Sequence, residues 1–346
     1  MRSVTAYGVP FAGAPIERMA IDRRDLGDLD VLIEIAFVGI CHSDLHNALD
    51  EWGHTTFPLV PGHEITGVVR ATGPSVSGFG EGDRVGVGVI VDSCRRCGQC
   101  LRGNEQYCED GPVETYNAVD RTGNRTYGGY STHIVVDEHF VYRIPDALTM
   151  EEAGPLLCAG ITVYSPLRHW GAGPGTRVAV VGLGGLGHMA VKLAHALGAE
   201  VTVLSRTAGK RADSIRLGAV RHVATSEPGV LAGAQGSFDL VVSTVSASLD
   251  LDRFLSLLDV DGVYVNVGLP PEPLALGAGS LVGRRRSIAG SMIGGVAETQ
   301  EMLDFCASHG LGADVEVVSA AEIDGAWRRL LRGDVRYRFV VDAATF

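Results

Sequence analysis

The chain has 346 residues, 46% of them hydrophobic, with 46 glycines and a formal net charge of -12. That length predicts two domains, the composition is that of a folded α/β protein, and the negative balance excludes a general nucleic-acid surface, which needs a basic face against phosphates. Met1–Gly8 holds no apolar run of signal-peptide length and no stretch is long enough to span a bilayer. A reducing, cytoplasmic setting without membrane partners is therefore expected, and the seven cysteines read as ligands or core residues before disulfides.

Over residues 1–150, short Val/Ile runs broken by glycine (Val31–Ile35, Ile65–Val69, Asp83–Gly88) predict a mostly β domain. From about Glu151 strands alternate with longer helical stretches, which predicts βαβ units and a parallel sheet. The expected strands are Arg177–Val181, Val201–Ser205, His222–Ala224, Phe238–Val242 and Gly262–Val267. Helices are expected within Thr149–Arg168, Leu186–Leu197 and Leu251–Leu258. Near the end, Glu298–His309 reads as a helix and Tyr337–Asp342 as a strand, and this tail is expected to return to the first domain.

Cys94, Cys97, Cys100 and Cys108 place four thiols within fifteen residues. Such spacing can wrap one tetrahedral zinc ion, and four protein ligands leave no position for a substrate, so the site reads as structural. Arg95, Arg96 and Arg102 on its flanks would favour thiolates; the competing reading is unrelated thiols or two disulfides. A second, open set is offered by Cys41, His63 and Cys158, with Glu64 as an exchanging fourth ligand or a nearby charge. Cys306, on an expected helix face, has no motif partner in the sequence and reads as core.

Arg177–Val181 runs into Gly182-Leu183-Gly184-Gly185-Leu186-Gly187 and then an apolar helix. This is the strand–turn–helix setting of a dinucleotide fingerprint, whose helix N-terminus faces the pyrophosphate. The next strand ends at Ser205-Arg206-Thr207, with Lys210 and Arg211 nearby. Ser205 stands about 20 residues on, where NAD sites place an acidic residue. Hydroxyls and cations there suit a 2′-phosphate, which favours NADP over NAD.

These residues, in this order, resemble the cinnamyl alcohol dehydrogenase-like branch of the zinc-dependent medium-chain dehydrogenases. The likeness spans nearly the whole chain. It is most specific at Gly39–His46, Pro61–Gly67, the four-cysteine lobe, Tyr127–Tyr130, Pro155–Leu167 and Gly182–His188. Glu51-Trp52-Gly53 and Arg168-His169-Trp170 make it most similar to actinobacterial NADP-dependent members. The resemblance implies a GroES-like domain over 1–150, completed by 291–346, and a Rossmann domain over 151–290.

By the same resemblance Cys41, His63, Glu64 and Cys158 hold a catalytic zinc, and Ser43 and His46 form a proton relay through the cofactor ribose. Asp44 is expected to orient ligands, and Trp52, an aromatic on a loop, either lines the substrate pocket or is a packing residue. His42, Thr162, the Gly182–Gly187 loop, Ser205, Arg206, Thr207, Lys210, Thr244, Val245, Val267, Gly268 and Ser291 meet NADP(H). In the family's 2′-phosphate region small serines are frequent, and Arg206 departs from that. Ser287–Ser291 is the expected edge of a homodimer. The implied activity is reversible reduction of aromatic or aliphatic aldehydes to primary alcohols. The alternatives are a reductase of iminium or conjugated bonds and a non-catalytic zinc scaffold.

Overall fold

A computed structural model describes residues 2–346. The chain divides into two compact units, one running to Cys158 and resuming over Gly294–Phe346, the other formed by Ala159–Ile293. No helix among the described residues is long and apolar enough to cross a membrane.

The first unit is built on a seven-stranded sheet among its described residues. Its long strand Asp30–Ile40 pairs antiparallel with Ile65–Thr72, with His133–Asp137 and with the C-terminal strand Arg338–Asp342. The tail therefore enters this sheet directly, with Val340 opposite Gly39. The two segments that carry the candidate ligands Cys41 and His63-Glu64 adjoin neighbouring strands of one sheet, which fixes their separation.

The second unit is a six-stranded parallel sheet in the order Arg221–Ala224, Glu200–Ser205, Arg177–Val181, Phe238–Ser243, Leu258–Asn266, Ser287–Gly290. The first strand in the chain lies centrally and the order reverses on either side of it, the doubly wound arrangement of dinucleotide-binding folds. Val181, Leu204, Val241, Leu255 and Tyr264 belong to a buried core on this sheet. Ser287–Gly290 is an edge strand.

Two expected elements differ. Helix fills much of Thr149–Arg168 as expected, but in pieces: Met150–Ala153 is α-helical, Gly154–Leu157 is a 3-10 turn led by Pro155, and the α-helix resumes at Ala159–His169. Cys158, at φ -129° and ψ -70°, is the break. Proline starts a helical turn well but lacks the N–H an uninterrupted helix needs. The helix expected over Leu251–Leu258 stops at Leu255, and Leu258 opens a strand. Leucine-rich runs carry no period that separates a buried helix end from a buried strand start.

Candidate functional site

The sulfur atoms of Cys94, Cys97, Cys100 and Cys108 lie within 4.8 Å of one another. Backbone N–H groups aim at the sulfurs: Cys97 N donates to Cys94 Sγ (3.3 Å), Cys100 N to Cys97 Sγ (3.5 Å) and Cys94 N to Cys108 Sγ (3.3 Å). The two-residue spacing is what lets each turn close on its own thiolate. Bonds from Cys100 N and Glu109 N pull the Cys97 thiol down to about 6, while burial pushes Cys100 up to about 12. The flanking cations act less directly than expected. Arg95 pairs with Asp137 (2.8 Å) and Arg96 with Asp110 (3.3 Å), whereas Arg121, unforeseen, reaches Cys108 Sγ (3.7 Å). None of the seven cysteines forms a disulfide.

This lobe is tied to the tail of the first unit. Buried Glu105 accepts from Val296 N (3.0 Å) at the start of the helix Val296–His309, and its other oxygen lies 3.3 Å from His139 Nε2. A carboxylate at a helix N-terminus satisfies an orphan donor and opposes the dipole. The approach is close: a Cβ on Gly295 would lie 1.7 Å from Gly103 O.

The second set is Cys41, His63, Glu64 and Cys158, all buried, with donor atoms within 4.8 Å of one another. Cys41 follows the strand Asp30–Ile40 and caps the helix His42–Ala48, His63 and Glu64 precede the strand Ile65–Thr72, and Cys158 is the helix break. Fully buried Asp44 ties these segments together. It accepts from Cys41 N (2.9 Å) and Gly62 N (3.1 Å), and it lies 3.5 Å from His63 Nδ1. That leaves His63 Nε2 toward the thiols, 3.3 Å from Cys158 Sγ. Tyr116, which the sequence did not single out, stacks on His63 with ring centroids 5.6 Å apart.

The electrostatics suit a cation. Hydrogen bonding from Cys158 holds Cys41 well below the usual thiol range against its burial, and the same contact with burial holds Cys158 well above it. Burial opposes a charge on His63, yet Asp44 and Cys41 hold its pKa well above the ordinary imidazole value. Two thiolates balance a divalent ion, and soft sulfur with imidazole nitrogen is the donor chemistry of zinc. Glu64 is paired separately with buried Arg338, and burial pushes its carboxyl up to about 6. Glu64 Oε2 has no hydrogen-bond partner among the described residues, so this oxygen is free to meet an ion. Gly39 makes the room: a Cβ there would lie 2.0 Å from Glu64 Oε2.

Ser43 and His46 share the helix His42–Ala48 at a spacing that puts them on one face. Cys41 Sγ lies 3.7 Å from Ser43 Oγ. His46 Nδ1 is paired with Glu51, a partner the sequence analysis missed although it lies only five residues on. Trp52 packs on the His46 ring at 5.2 Å and stacks on His54 at 6.2 Å. His42 is exposed on the same helix.

In the second unit the expected cofactor residues collect at the C-terminal ends of the parallel strands. Gly182–Gly187 follows Arg177–Val181, Ser205 ends Glu200–Ser205, Thr244 and Val245 follow Phe238–Ser243, Val267 and Gly268 follow Leu258–Asn266, and Ser291 follows Ser287–Gly290. Ligands of open α/β sheets bind at that end. Gly182 has φ +92°, a Cβ on Gly187 would lie 2.2 Å from Gly182 O, and Gly184 faces open space. Arg206 and Thr207 are exposed, and Lys210 Nζ donates to Leu183 O of the glycine loop (2.8 Å). Thr162 is buried in the helix Ala159–His169.

Comparison with known proteins agrees with this geometry. The family description "Alcohol dehydrogenase GroES-like domain" matches residues 27–146, and "Zinc-binding dehydrogenase" matches residues 185–308. The chain is 55% identical over 342 residues to NADP-dependent alcohol dehydrogenase C of Mycobacterium tuberculosis, covering 99% of each chain. It is 51% identical over 346 residues to aldehyde reductase YahK of Escherichia coli, again covering 99% of each. A cinnamyl alcohol dehydrogenase structure from Sorghum bicolor superposes with a TM-score of 0.96 at 44% identity, covering 99% of this chain and 98% of that one.

Proposed function

This chain belongs to the zinc-dependent medium-chain alcohol dehydrogenases, and from that membership we propose that Cys41, His63, Glu64 and Cys158 form its catalytic metal site. The activity is NADP-dependent oxidoreduction between alcohols and aldehydes, with Cys94, Cys97, Cys100 and Cys108 holding a second, structural zinc. The observation that carries the reading is the buried three-donor set with a carboxylate beside it, Ser43 next to it, and a dinucleotide fingerprint in the other unit. When bound, zinc supplies a Lewis acid for the carbonyl and NADPH supplies the hydride.

The protein's own groups do the rest. Asp44 keeps His63 oriented with Nε2 outward, as a carboxylate behind a ligating histidine does. Arg338 holds Glu64 ionised in a site where burial alone would favour the neutral acid. Ser43 Oγ gives a proton to the product oxygen, and His46 replenishes it from solvent. Glu51 occupies His46 Nδ1, so Nε2 is the atom left for exchange. Trp52 limits the tilt of that ring. NADP preference tilts the reaction toward aldehyde reduction, with Arg206 and Lys210 as the cations for the 2′-phosphate. A cytoplasmic homodimer joined at the edge strand Ser287–Gly290 completes the reading, and a monomeric mass by light scattering would contradict it.

Two tests apply. Removing zinc with a chelator should end aldehyde turnover and adding Zn2+ should restore it; turnover that survives complete metal removal would sink the metal assignment. His46→Ala should slow turnover on the order of 10²-fold, the scale of general acid–base catalysis, and reshape the pH profile, with Glu51→Gln giving a smaller change of the same kind. An unchanged pH profile in His46→Ala would remove it from the relay.

A further inference from the structure

The loop Ser205–Lys210 is held from below by the neighbouring strand Arg221–Ala224 and its extension. Thr225 N donates to Ser205 O (2.8 Å), and Ser226 N donates to Arg206 O (3.1 Å). The third carbonyl, Thr207 O, lies 3.0 Å from His222 Nε2. A carbonyl oxygen only accepts, so His222 carries a proton on Nε2 and donates it there. The other ring nitrogen lies 3.0 Å from Ser214 Oγ, whose single proton is shared between that nitrogen and Arg211 O (2.8 Å). Ser214 and His222 are both buried, and both follow the loop in the chain.

Three consecutive carbonyls are thus engaged toward the sheet. The side chains of Arg206 and Thr207 are exposed, and Lys210 reaches back to Leu183 O. A loop whose carbonyls are tied down presents its side chains without paying their full ordering cost at binding. Two of those tethers are backbone bonds that any sequence could make. The third requires a side chain of imidazole reach, and nothing in the glycine fingerprint demands it.

We propose that His222, braced by Ser214, is a positioning residue for cofactor choice. It fixes Arg206 and Thr207 for recognition of an adenosine 2′-phosphate without touching the nucleotide. The inference rests on the reading of Ser205–Lys210 as the 2′-phosphate loop. Its effect should fall chiefly on nucleotides that carry that phosphate, because His222 holds Thr207 O, whereas the glycine loop is reached from this segment only through Lys210 on Leu183 O.

The test is calorimetric titration of the zinc-loaded protein with adenosine 2′,5′-bisphosphate and, separately, adenosine 5′-monophosphate. His222→Phe keeps a ring and loses the donor, so affinity for the bisphosphate should fall on the order of tenfold, the scale of one lost hydrogen bond with its neighbour left unpaired. Affinity for the monophosphate should shift by less than about twofold, a change too small to reflect a lost hydrogen bond. His222→Gln, whose amide can donate to the same carbonyl, should restore most of the bisphosphate affinity. If His222→Phe fails to fold, Ser214→Ala serves, with a smaller selective loss expected.

An equal loss for both nucleotides would overturn the inference in favour of a general folding role, as would no loss for either. Arg206→Ala and Lys210→Ala separate the two levels. If they weaken bisphosphate binding while His222→Phe does not, the inference fails and the loop assignment stands. If they too leave it unchanged, the loop assignment falls, and the inference falls with it.

Discussion

Replacing Cys41 with alanine should lower kcat/KM for aldehyde reduction by more than about 10³-fold. A Lewis acid on a carbonyl oxygen contributes several kcal/mol to the transition state, and each 1.36 kcal/mol is a factor of ten. Cys41 is the group in the buried set whose surroundings most favour the thiolate, so its loss removes both a ligand and half of the anionic charge that balances the ion. Zinc content should fall from two per chain toward one. The fold should survive, because the segment is still held by the strand Asp30–Ile40 and by Asp44 on the Cys41 backbone N–H, a bond that alanine keeps. Turnover within tenfold of the parent would show that the set is not the reaction centre.

The second large effect is opposite in kind. Cys100→Ala should release the ion of the four-cysteine lobe and lower the unfolding midpoint by about 10 °C or more. Structural zinc contributes folding free energy directly, and about 3 kcal/mol lost already moves a domain of this size that far. Local melting should spread, because Glu105 in this lobe caps the helix Val296–His309 and Gly103 packs against Gly295. What remains folded should keep proportionate activity. An unchanged midpoint with a dead enzyme would contradict the structural assignment and put the lobe in the chemistry.

What the sequence made legible was local. Cys94, Cys97 and Cys100, at two-residue spacing, close on neighbouring backbone N–H groups, and Gly182 and Gly187 each have a steric reason that a strand–turn–helix pattern already implies. What it hid was distant or conformational. Glu64 meets Arg338 across 274 positions, and the only hint was an arginine opening a strand whose middle is apolar. Glu105 and Val296 are 191 positions apart. Helix was expected over much of Thr149–Arg168, and the break at Cys158 within that span depends on Pro155 and on packing that periodicity cannot express. The Glu51–His46 pair was near enough to find, but it forms beyond the helix end, outside the spacings that helix rules examine.

The most direct measurement follows NADPH and NADH oxidation separately, with one aromatic and one aliphatic aldehyde. Rapid oxidation of NADPH with little of NADH, for both aldehydes, is the result expected of a zinc aldehyde reductase with a 2′-phosphate site at Arg206 and Lys210. Equal use of both coenzymes would contradict the cofactor assignment. No turnover of either by protein holding two zinc ions per chain would contradict carbonyl reduction itself and favour an iminium or conjugated-bond substrate.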